Sequence, residues 1–132
     1  MMPKRQVAHP LQKDIRVAIV EEISDDIYSM KFVLQSLGYE VLSFAASSVY
    51  IEPLLRFNPK IVIVDMMIPA EGGYHVIEQI NSQTSPKFAI LAITAAGMRG
   101  NEGDVLEAGV SKILSKPYTV AELQEKLNGM GG

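Results

Sequence analysis

Four consecutive β-branched residues, Ile61 to Val64, end at a single carboxylate, Asp65. A short, continuous apolar run of this kind is typical of a parallel strand that is buried on both faces. Asp65 is therefore either the last residue of a strand or the first residue of a loop. Pro69 and the pair Gly72-Gly73 end that loop before a helix. An acid at a buried strand end is costly unless a cation or a proton neutralises it, so we expect a partner elsewhere in the chain.

The same unit, an apolar strand followed by a helix with apolar residues at helical spacing, occurs five times along the chain. Strict alternation of strands and helices predicts a doubly wound α/β domain, in which a parallel sheet carries helices on both faces. The predicted strands are Ile15–Val20, Tyr39–Phe44, Ile61–Val64, Phe88–Ile93 and Ser111–Ser115.

Two of the predicted helices carry residues that disturb helical structure. Pro53 lies in the second helix, and proline is tolerated only in a first helical turn, so we expect this helix to be short, late-starting or kinked. Glycines precede the fourth helix, so we expect it to begin near Gly103 or Asp104 and to end before Gly109.

The last helix has a clear start signal. Thr119 and Glu122 are three residues apart, which is the spacing of a capping box. Val120, Leu123 and Leu127 recur at helical spacing, and we expect them to form the buried face of this helix.

Composition excludes several classes of protein. The chain has 132 residues, enough for one compact domain, and a net charge of −3, which does not suggest a nucleic-acid partner. It has no cysteine, which excludes disulfides, zinc-thiolate sites and thiol catalysis. No apolar run approaches the ~20 residues of a membrane span, and the start lacks the apolar centre of a signal peptide, so we expect a cytoplasmic protein without membrane contact. We expect a flexible N-terminal arm or linker over residues 1–14, one domain over 15–128 and a frayed end over 129–132.

Acidic residues collect at the predicted strand ends. Glu21 and Glu22 follow the first strand and Asp65 follows the third, and both common doubly wound topologies place these two strands side by side. Thr94 and Lys116 lie at the ends of strands four and five, on the same rim. The acids could hold Mg²⁺, while a lysine and a hydroxyl suit a phosphoryl group. Asp65 could then act as a nucleophile and form an aspartyl phosphate.

Several short motifs, in order and each near a strand end, together resemble the receiver domain of two-component response regulators. The resemblance covers about residues 15–128. It implies the strand order 2-1-3-4-5 of a flavodoxin-like, CheY-like three-layer sandwich. The residues that carry it are Val20-Glu21-Glu22, Asp65 with Pro69 and Gly73 after it, Thr94-Ala95, Gly109 and Lys116-Pro117.

The resemblance also implies a metal site. Glu21 and Glu22 occupy the positions of the metal-binding acids, and Asp65 is both a metal ligand and the acceptor of phosphate from the phosphohistidine of a sensor kinase. By the same resemblance, the backbone carbonyl of Met67 would complete the shell around Mg²⁺.

The phosphoryl-binding residues are implied in the same way. Thr94 and Lys116 would bind the phosphoryl oxygens, and Ala95 belongs to the same binding site. The peptide bond between Lys116 and Pro117 is expected to be cis. On this interpretation the chain is not a conventional enzyme, because it accepts the phosphoryl group itself and assists its own phosphorylation and dephosphorylation.

Two residues depart from the family pattern. Glu22 stands where the family usually has aspartate, and its additional methylene could displace or weaken a metal ion that tolerates distorted geometry poorly. Ile113 stands three residues before Lys116, where the family usually has a tyrosine or phenylalanine that moves inward on phosphorylation. Switching must then proceed through Thr94, the glycine-rich loop and the fourth helix.

Three interpretations therefore stay open. The first is a phosphorylatable receiver, and the second is a pseudo-receiver that binds partners without phosphorylation. The third, a flavodoxin-like cofactor binder or phosphatase, is disfavoured because the loop after the first strand is acidic rather than glycine-rich, and because no second aspartate lies two residues after Asp65. The chain could be a stand-alone regulator or a receiver from a hybrid kinase or larger regulator.

The expected partners follow from the resemblance alone. They are a sensor histidine kinase or phosphotransfer protein and a downstream effector protein. The face made by the fourth helix, the fifth strand and the fifth helix, including Lys112, Ile113 and Tyr118, would bind a partner or form a dimer.

Overall fold

The computed structural model describes residues 15–22, 25–69, 72–83 and 88–132, and for residues 25–29 it describes the backbone alone. The expected arm over residues 1–14 lies outside the described residues. Within the described part of the chain, no helix has the length and apolar character needed to cross a bilayer.

Five strands and five helices alternate along these residues. The strands are β1 Arg16–Glu21, β2 Glu40–Ala45, β3 Ile61–Asp65, β4 Ala89–Thr94 and β5 Lys112–Ser115. The helices are α1 Asp25–Ser36, α2 Ile51–Phe57, α3 Gly72–Gln83, α4 Glu102–Glu107 and α5 Val120–Asn128.

All five strands are parallel and form one sheet in the order β2-β1-β3-β4-β5. The predicted doubly wound fold is therefore confirmed. The switch in strand order places β1 beside β3, which is the point where ligands collect in open α/β sheets.

The sheet separates two apolar cores because side chains alternate between its faces. Val64 packs on one face against residues of α2, α3 and α4. Its neighbour Ile63 packs on the other face with residues of α1 and α5. Residues 61–64 are at most 1% exposed, and fully burying a side chain of this size contributes about 1.5–3 kcal/mol. This central strand is thus a rigid support for Asp65, its last residue.

Three strands include a polar or small residue that the sequence analysis placed outside them. Glu21, Ala45 and Thr94 are the last residues of β1, β2 and β4. The pairing of the backbones determines these ends, since Ala46 N donates to Glu21 O at 3.0 Å and Lys116 N donates to Thr94 O at 2.7 Å. The hydrogen bonds between β1 and β2 therefore continue as far as Glu21, and those between β4 and β5 continue as far as Thr94.

The helix that contains a proline begins late, as expected. It starts at Ile51, so Pro53 lies within its first turn, where its missing N–H does not interrupt the helical hydrogen bonds. Leu54 is the buried residue of this short helix.

The fourth helix begins one or two residues earlier than predicted, at Glu102. Asn101 caps it, because its side-chain oxygen accepts from Asp104 N at 2.9 Å and Asp104 Oδ2 accepts from Asn101 N at 2.9 Å. The reciprocal bonds outweigh the low helix propensity of Gly103.

The predicted capping box of α5 is confirmed, with Glu122 N donating to Thr119 Oγ1 at 3.0 Å. Leu123 and Leu127 are buried as expected. The assignment of Val120 to the buried face was wrong, since Val120 is 49% exposed. It lies in the first turn and borders an open cavity rather than packed core.

Candidate functional site

The first two acids lie side by side at the carboxyl edge of the sheet. Val20 is in register with Val64, so the residues that follow them, Glu21 and Asp65, end neighbouring strands. Alternation turns both acidic side chains toward the face covered by α1 and α5. Glu21 is 4% exposed, and the Asp65 side chain is 15% exposed, so both carboxyl groups lie largely out of bulk water.

A lysine from two strands away reaches the same point. Lys116 follows β5, and β4 lies between β5 and β3. Its Nζ atom lies 3.5 Å from Asp65 Oδ2, and its side chain is 27% exposed. This ammonium group is the cation that the buried carboxylate was expected to need.

The second oxygen of Asp65 is held by the loop that follows β3. Met67 N donates to Asp65 Oδ1 at 2.8 Å. This bond to the chain two residues onward fixes the orientation of the carboxyl group, as in an Asx turn. It also brings the Met67 backbone close to the carboxylate.

The loop after Asp65 packs directly on the start of α3. A Cβ atom added to Gly73 would lie 3.0 Å from Met66 Cα and 3.0 Å from Met66 Sδ. Glycine at this position therefore allows the loop backbone to approach the helix without a side chain between them.

A cavity of about 620 Å³ opens beside the acids. Its lining includes Glu21, Asp65, Ala95 and Lys116. Its apolar walls come from β1, β3 and β4 and from the helices on that face, and they include Ile19, Ile63, Ile93 and Leu123. Charged groups thus meet at the mouth of an apolar cavity, where water screens their interactions weakly.

Thr94 lies on the other face of the sheet from these acids. It is 3% exposed, and its Oγ1 atom lies 3.1 Å from Ser115 Oγ. A second hollow of about 350 Å³ is bordered by Thr94, Ala95, Ser115 and Lys116 together with the loop that leads to α4. The peptide bond between Lys116 and Pro117 is cis, as expected.

The structure thus brings together most of the predicted site residues. Glu21, Asp65, Ala95 and Lys116 border one cavity, with Thr94 at the adjoining hollow. Glu22 is not among the described residues that line the larger cavity. Met67 instead borders a shallow hollow with Gly97 and Arg99.

The donor set suits a hard cation, although it does not form a cage of side chains. Within the described residues, no group of three or more His, Cys, Asp or Glu side chains could hold a metal ion. Mg²⁺ usually needs only one or two carboxylates, with water, carbonyl or phosphate oxygens completing its shell. Glu21 and Asp65 provide two carboxylates at this edge of the sheet.

Sequence analysis missed two polar residues at this edge. Ser115 Oγ donates to Glu102 Oε2 at 3.0 Å and also contacts Thr94. Ser115 directly precedes Lys116, which was the only signal in the sequence. Glu102 lay in a segment considered too rich in glycine to begin a helix.

Residues 17–128 match the family described as "Response regulator receiver domain". The match covers most of the chain, from the second residue of β1 to the end of α5. The chain therefore belongs to the receiver-domain family of two-component response regulators.

Individual relatives agree with this assignment. Chemotaxis protein CheY-3 of Vibrio cholerae is 28% identical over 120 residues, which cover 89% of this chain and 92% of that protein. The receiver domain of a sensor histidine kinase from Pseudomonas aeruginosa has a TM-score of 0.76 at 27% identity, over 89% of this chain and 98% of that chain. That structure contains a magnesium ion coordinated in its active site cleft.

A third comparison concerns the fold alone. The BeF3-activated N-terminal receiver domain of RstA from Klebsiella pneumoniae has a TM-score of 0.75 at 21% identity. The match covers 87% of this chain and 97% of that chain. The CheY-like architecture therefore extends over nearly the whole described chain.

Proposed function

We propose that the chain accepts a phosphoryl group on Asp65 from the phosphohistidine of a sensor histidine kinase or phosphotransfer protein. The change at Asp65 then alters binding of a downstream effector, through the face formed by α4, β5 and α5. The observation that carries this proposal is the pairing of Asp65 with Lys116 beside the buried Glu21, at the switch point of a receiver fold. A cytoplasmic location, where such partners would be available, is part of the proposal.

The transfer requires a nucleophile whose attacking oxygen can reach phosphorus. A carboxylate oxygen of Asp65 forms the new O–P bond as the P–N bond of the donor breaks, and the imidazole nitrogen keeps the electron pair of that bond. Since Lys116 Nζ lies 3.5 Å from Asp65 Oδ2, its charge is placed to stabilise negative charge on the outer phosphoryl oxygens.

The metal is proposed to share that task. Bound Mg²⁺ would neutralise charge on the phosphoryl oxygens as the bond to Asp65 forms. Glu21, Glu22, Asp65 and the carbonyl of Met67 are the proposed ligands. Glu21 is buried at the cavity and can contribute without exposure to competing water, whereas Glu22 is half-buried.

The remaining proposed contacts come from the ends of β4 and β5. The Thr94 hydroxyl would donate to one phosphoryl oxygen after the transfer, and the backbone at Ala95 adjoins the same cavity. Water reaching Asp65 would later hydrolyse the acyl phosphate, so the domain would assist both its own phosphorylation and its own dephosphorylation.

A second function is favoured by one observation. Glu22 is not among the described residues that line the cavity, so it would contribute less to the proposed metal site than Glu21 does. Without adequate Mg²⁺ affinity the chain would act as a pseudo-receiver that binds partners independently of phosphorylation.

The decisive experiment is the intact mass of the full chain after incubation with acetyl phosphate, with and without Mg²⁺. We expect one phosphoryl group to be added only when Mg²⁺ is present. Asp65→Asn should abolish the gain, while Glu78→Gln, an exposed change on α3, should leave it intact. A chain that gains no mass at any Mg²⁺ concentration would favour the pseudo-receiver for this donor.

A further inference from the structure

Three polar side chains form a continuous hydrogen-bonded row from the end of β4 to the start of α4. Thr94 Oγ1 lies 3.1 Å from Ser115 Oγ, and Ser115 Oγ lies 3.0 Å from Glu102 Oε2. Thr94 is buried, whereas Ser115 and Glu102 are exposed. The row therefore leads from the interior of the site to the surface at the first residue of α4.

The direction of the protons in this row follows from the chemistry of its members. Each hydroxyl carries one proton, and an ionised carboxylate can only accept. Ser115 donates its proton to Glu102, so the bond between the two hydroxyls requires Thr94 to donate to Ser115. The Thr94 proton is thus directed away from Asp65.

The backbone keeps the first two members of the row together. Thr94 and Ser115 are in register on neighbouring strands, and Lys116 N donates to Thr94 O at 2.7 Å. Alternation turns both hydroxyls to the face that α4 covers. A rearrangement of the hydroxyl protons can therefore occur without separating the strand ends.

The position where the family usually has its mobile aromatic is occupied by Ile113. This residue is partly buried and packs against the core on the α4 side of the sheet. An aliphatic side chain has no polar group with which to sense the Thr94 hydroxyl. Ser115, two residues onward on the same face, does have one.

We propose that Ser115 and Glu102 are positioning residues that hold the Thr94 hydroxyl toward α4 in the unphosphorylated chain. When Thr94 donates instead to a phosphoryl oxygen on Asp65, Ser115 no longer accepts a hydrogen bond from Thr94. The hydrogen bond from Ser115 to Glu102 then weakens. The start of α4 then becomes freer to move. This inference rests on the proposed function, because it requires a phosphoryl group at Asp65.

A purely structural role for these side chains predicts a different result. The hydrogen bond between Ser115 and Glu102 joins exposed groups and contributes little to stability, so Glu102→Ala should hardly change folding. It should change the response of α4 to phosphorylation. Hydrogen exchange of the α4 backbone amides measures that response directly.

The experiment compares the full chain with Ser115→Ala, Ser115→Thr and Glu102→Ala, each before and after treatment with acetyl phosphate and Mg²⁺. In the natural chain we expect phosphorylation to accelerate exchange at the α4 amides about five-fold, the effect of one net hydrogen bond. In Ser115→Ala and Glu102→Ala these amides should already exchange rapidly, so phosphorylation should add little. Ser115→Thr keeps the hydroxyl and should restore the natural response. Glu107→Ala, at the other end of α4, is the control for loss of charge.

Intact mass, measured on the same samples, separates this inference from the proposed function. If every variant gains the phosphoryl group and α4 accelerates equally with and without the Ser115 hydroxyl, the positioning role is wrong. Unchanged α4 exchange in the phosphorylated natural chain would also overturn it. If the natural chain gains no mass, the proposed function itself fails, and this inference fails with it.

Discussion

Lys116 Nζ lies 3.5 Å from Asp65 Oδ2, although Asp65 ends β3, Lys116 follows β5, and β4 lies between these two strands. Only a long side chain could bridge that separation. Glu21 is buried beside this pair, so Lys116 offsets part of the negative charge of two neighbouring acids. The charge of Lys116 is therefore a natural target for a first test of the site.

Lys116→Met keeps the apolar stem and removes the charge. We expect phosphorylation by acetyl phosphate to slow at least about ten-fold, because charge on the phosphoryl oxygens loses its nearest cation. Because the carboxyl groups of Asp65 and Glu21 are largely shielded from water, the loss of the nearby cation should also lower the free energy of unfolding, by about 1–3 kcal/mol. Time courses of intact mass and urea titrations measure the two effects. Lys112→Met on β5 is the matched control, and an equal rate in both variants would exclude a role for Lys116.

Mg²⁺ should stabilise the folded chain, because the proposed ligands come together only on folding. The gain follows RT ln(1 + [Mg²⁺]/Kd), or about 2.7 kcal/mol when the free ion is at one hundred times Kd. The chain has no tryptophan, so a rise in melting temperature is a more practical measure than fluorescence. Asp65→Asn should reduce the rise. A shift that the variant retains in full would place the ion elsewhere.

Glu22→Asp should strengthen Mg²⁺ binding. The shorter side chain restores the residue that the family usually has at this position, and Mg²⁺ accepts little deviation from ideal geometry. The midpoint of the Mg²⁺-induced rise in melting temperature should move to a lower concentration. Glu78→Asp, which makes the same change on an exposed face of α3, should leave the midpoint unchanged. Weaker binding by Glu22→Asp would mean that this site uses the longer acid.

Gly73→Ala should disturb the loop that orients Asp65. The added methyl would meet Met66 Cα at 3.0 Å, and overpacking of this kind typically costs about 1–3 kcal/mol. We expect a lower free energy of unfolding in urea and slower phosphorylation. Gly103→Ala on α4 provides a helical control, because its added methyl would meet only the side-chain oxygen of Asn101 at 3.2 Å. Equal stability of the two variants would show that the loop adapts freely.

Tyr50 should give the stability of the chain a pH dependence in the alkaline range. Burial raises the pKa of Tyr50 to about 12, and its hydroxyl donates to Gln79 Oε1 at 2.6 Å. Below pH 10, Tyr50→Phe should lose about 1 kcal/mol through the missing hydrogen bond. Between about pH 10 and 12 the phenol ionises in the unfolded chain while the native chain keeps its proton, so the natural chain loses stability as the pH rises.

Phenylalanine has no proton to lose, so the stability advantage of the natural chain should shrink above pH 10 and reverse before pH 12, because a rise in pKa from 10.0 to about 12 outweighs one hydrogen bond. Urea titrations from pH 7 to 12 measure it, and the interval below pH 9 provides the internal reference, because the difference should be constant there. A difference that stays constant up to pH 12 would show that Tyr50 ionises as readily in the folded chain as in the unfolded one.

The central strand and its acid were predictable because they depend on local pattern. An apolar run that ends in a carboxylate defines both the burial of residues 61–64 and the place of Asp65 at the strand end. The parallel order of neighbouring strands then brings Glu21 to the same edge. The helix boundaries were less predictable, since capping by Asn101 depends on two reciprocal hydrogen bonds that glycines obscure in the sequence.

The row through Ser115 could not be predicted for a different reason. Glu102 and Ser115 are 13 residues apart, and their contact depends on where α4 starts relative to the end of β5. That distance is a property of tertiary packing rather than of sequence spacing. A serine beside Lys116 has no distinctive pattern of its own.

The hydrogen bond from Lys116 N to Thr94 O joins the ends of β4 and β5 as one piece of backbone. A chimera with its junction between these strands would combine strand ends from two different proteins. The hydrogen bond between those ends would then have to form between residues of different origin. Crossovers placed before β4 or after Pro117 would transfer the two tips intact. The smallest portable part of this edge is therefore a pair of strand ends with the chain between them, rather than a set of side chains.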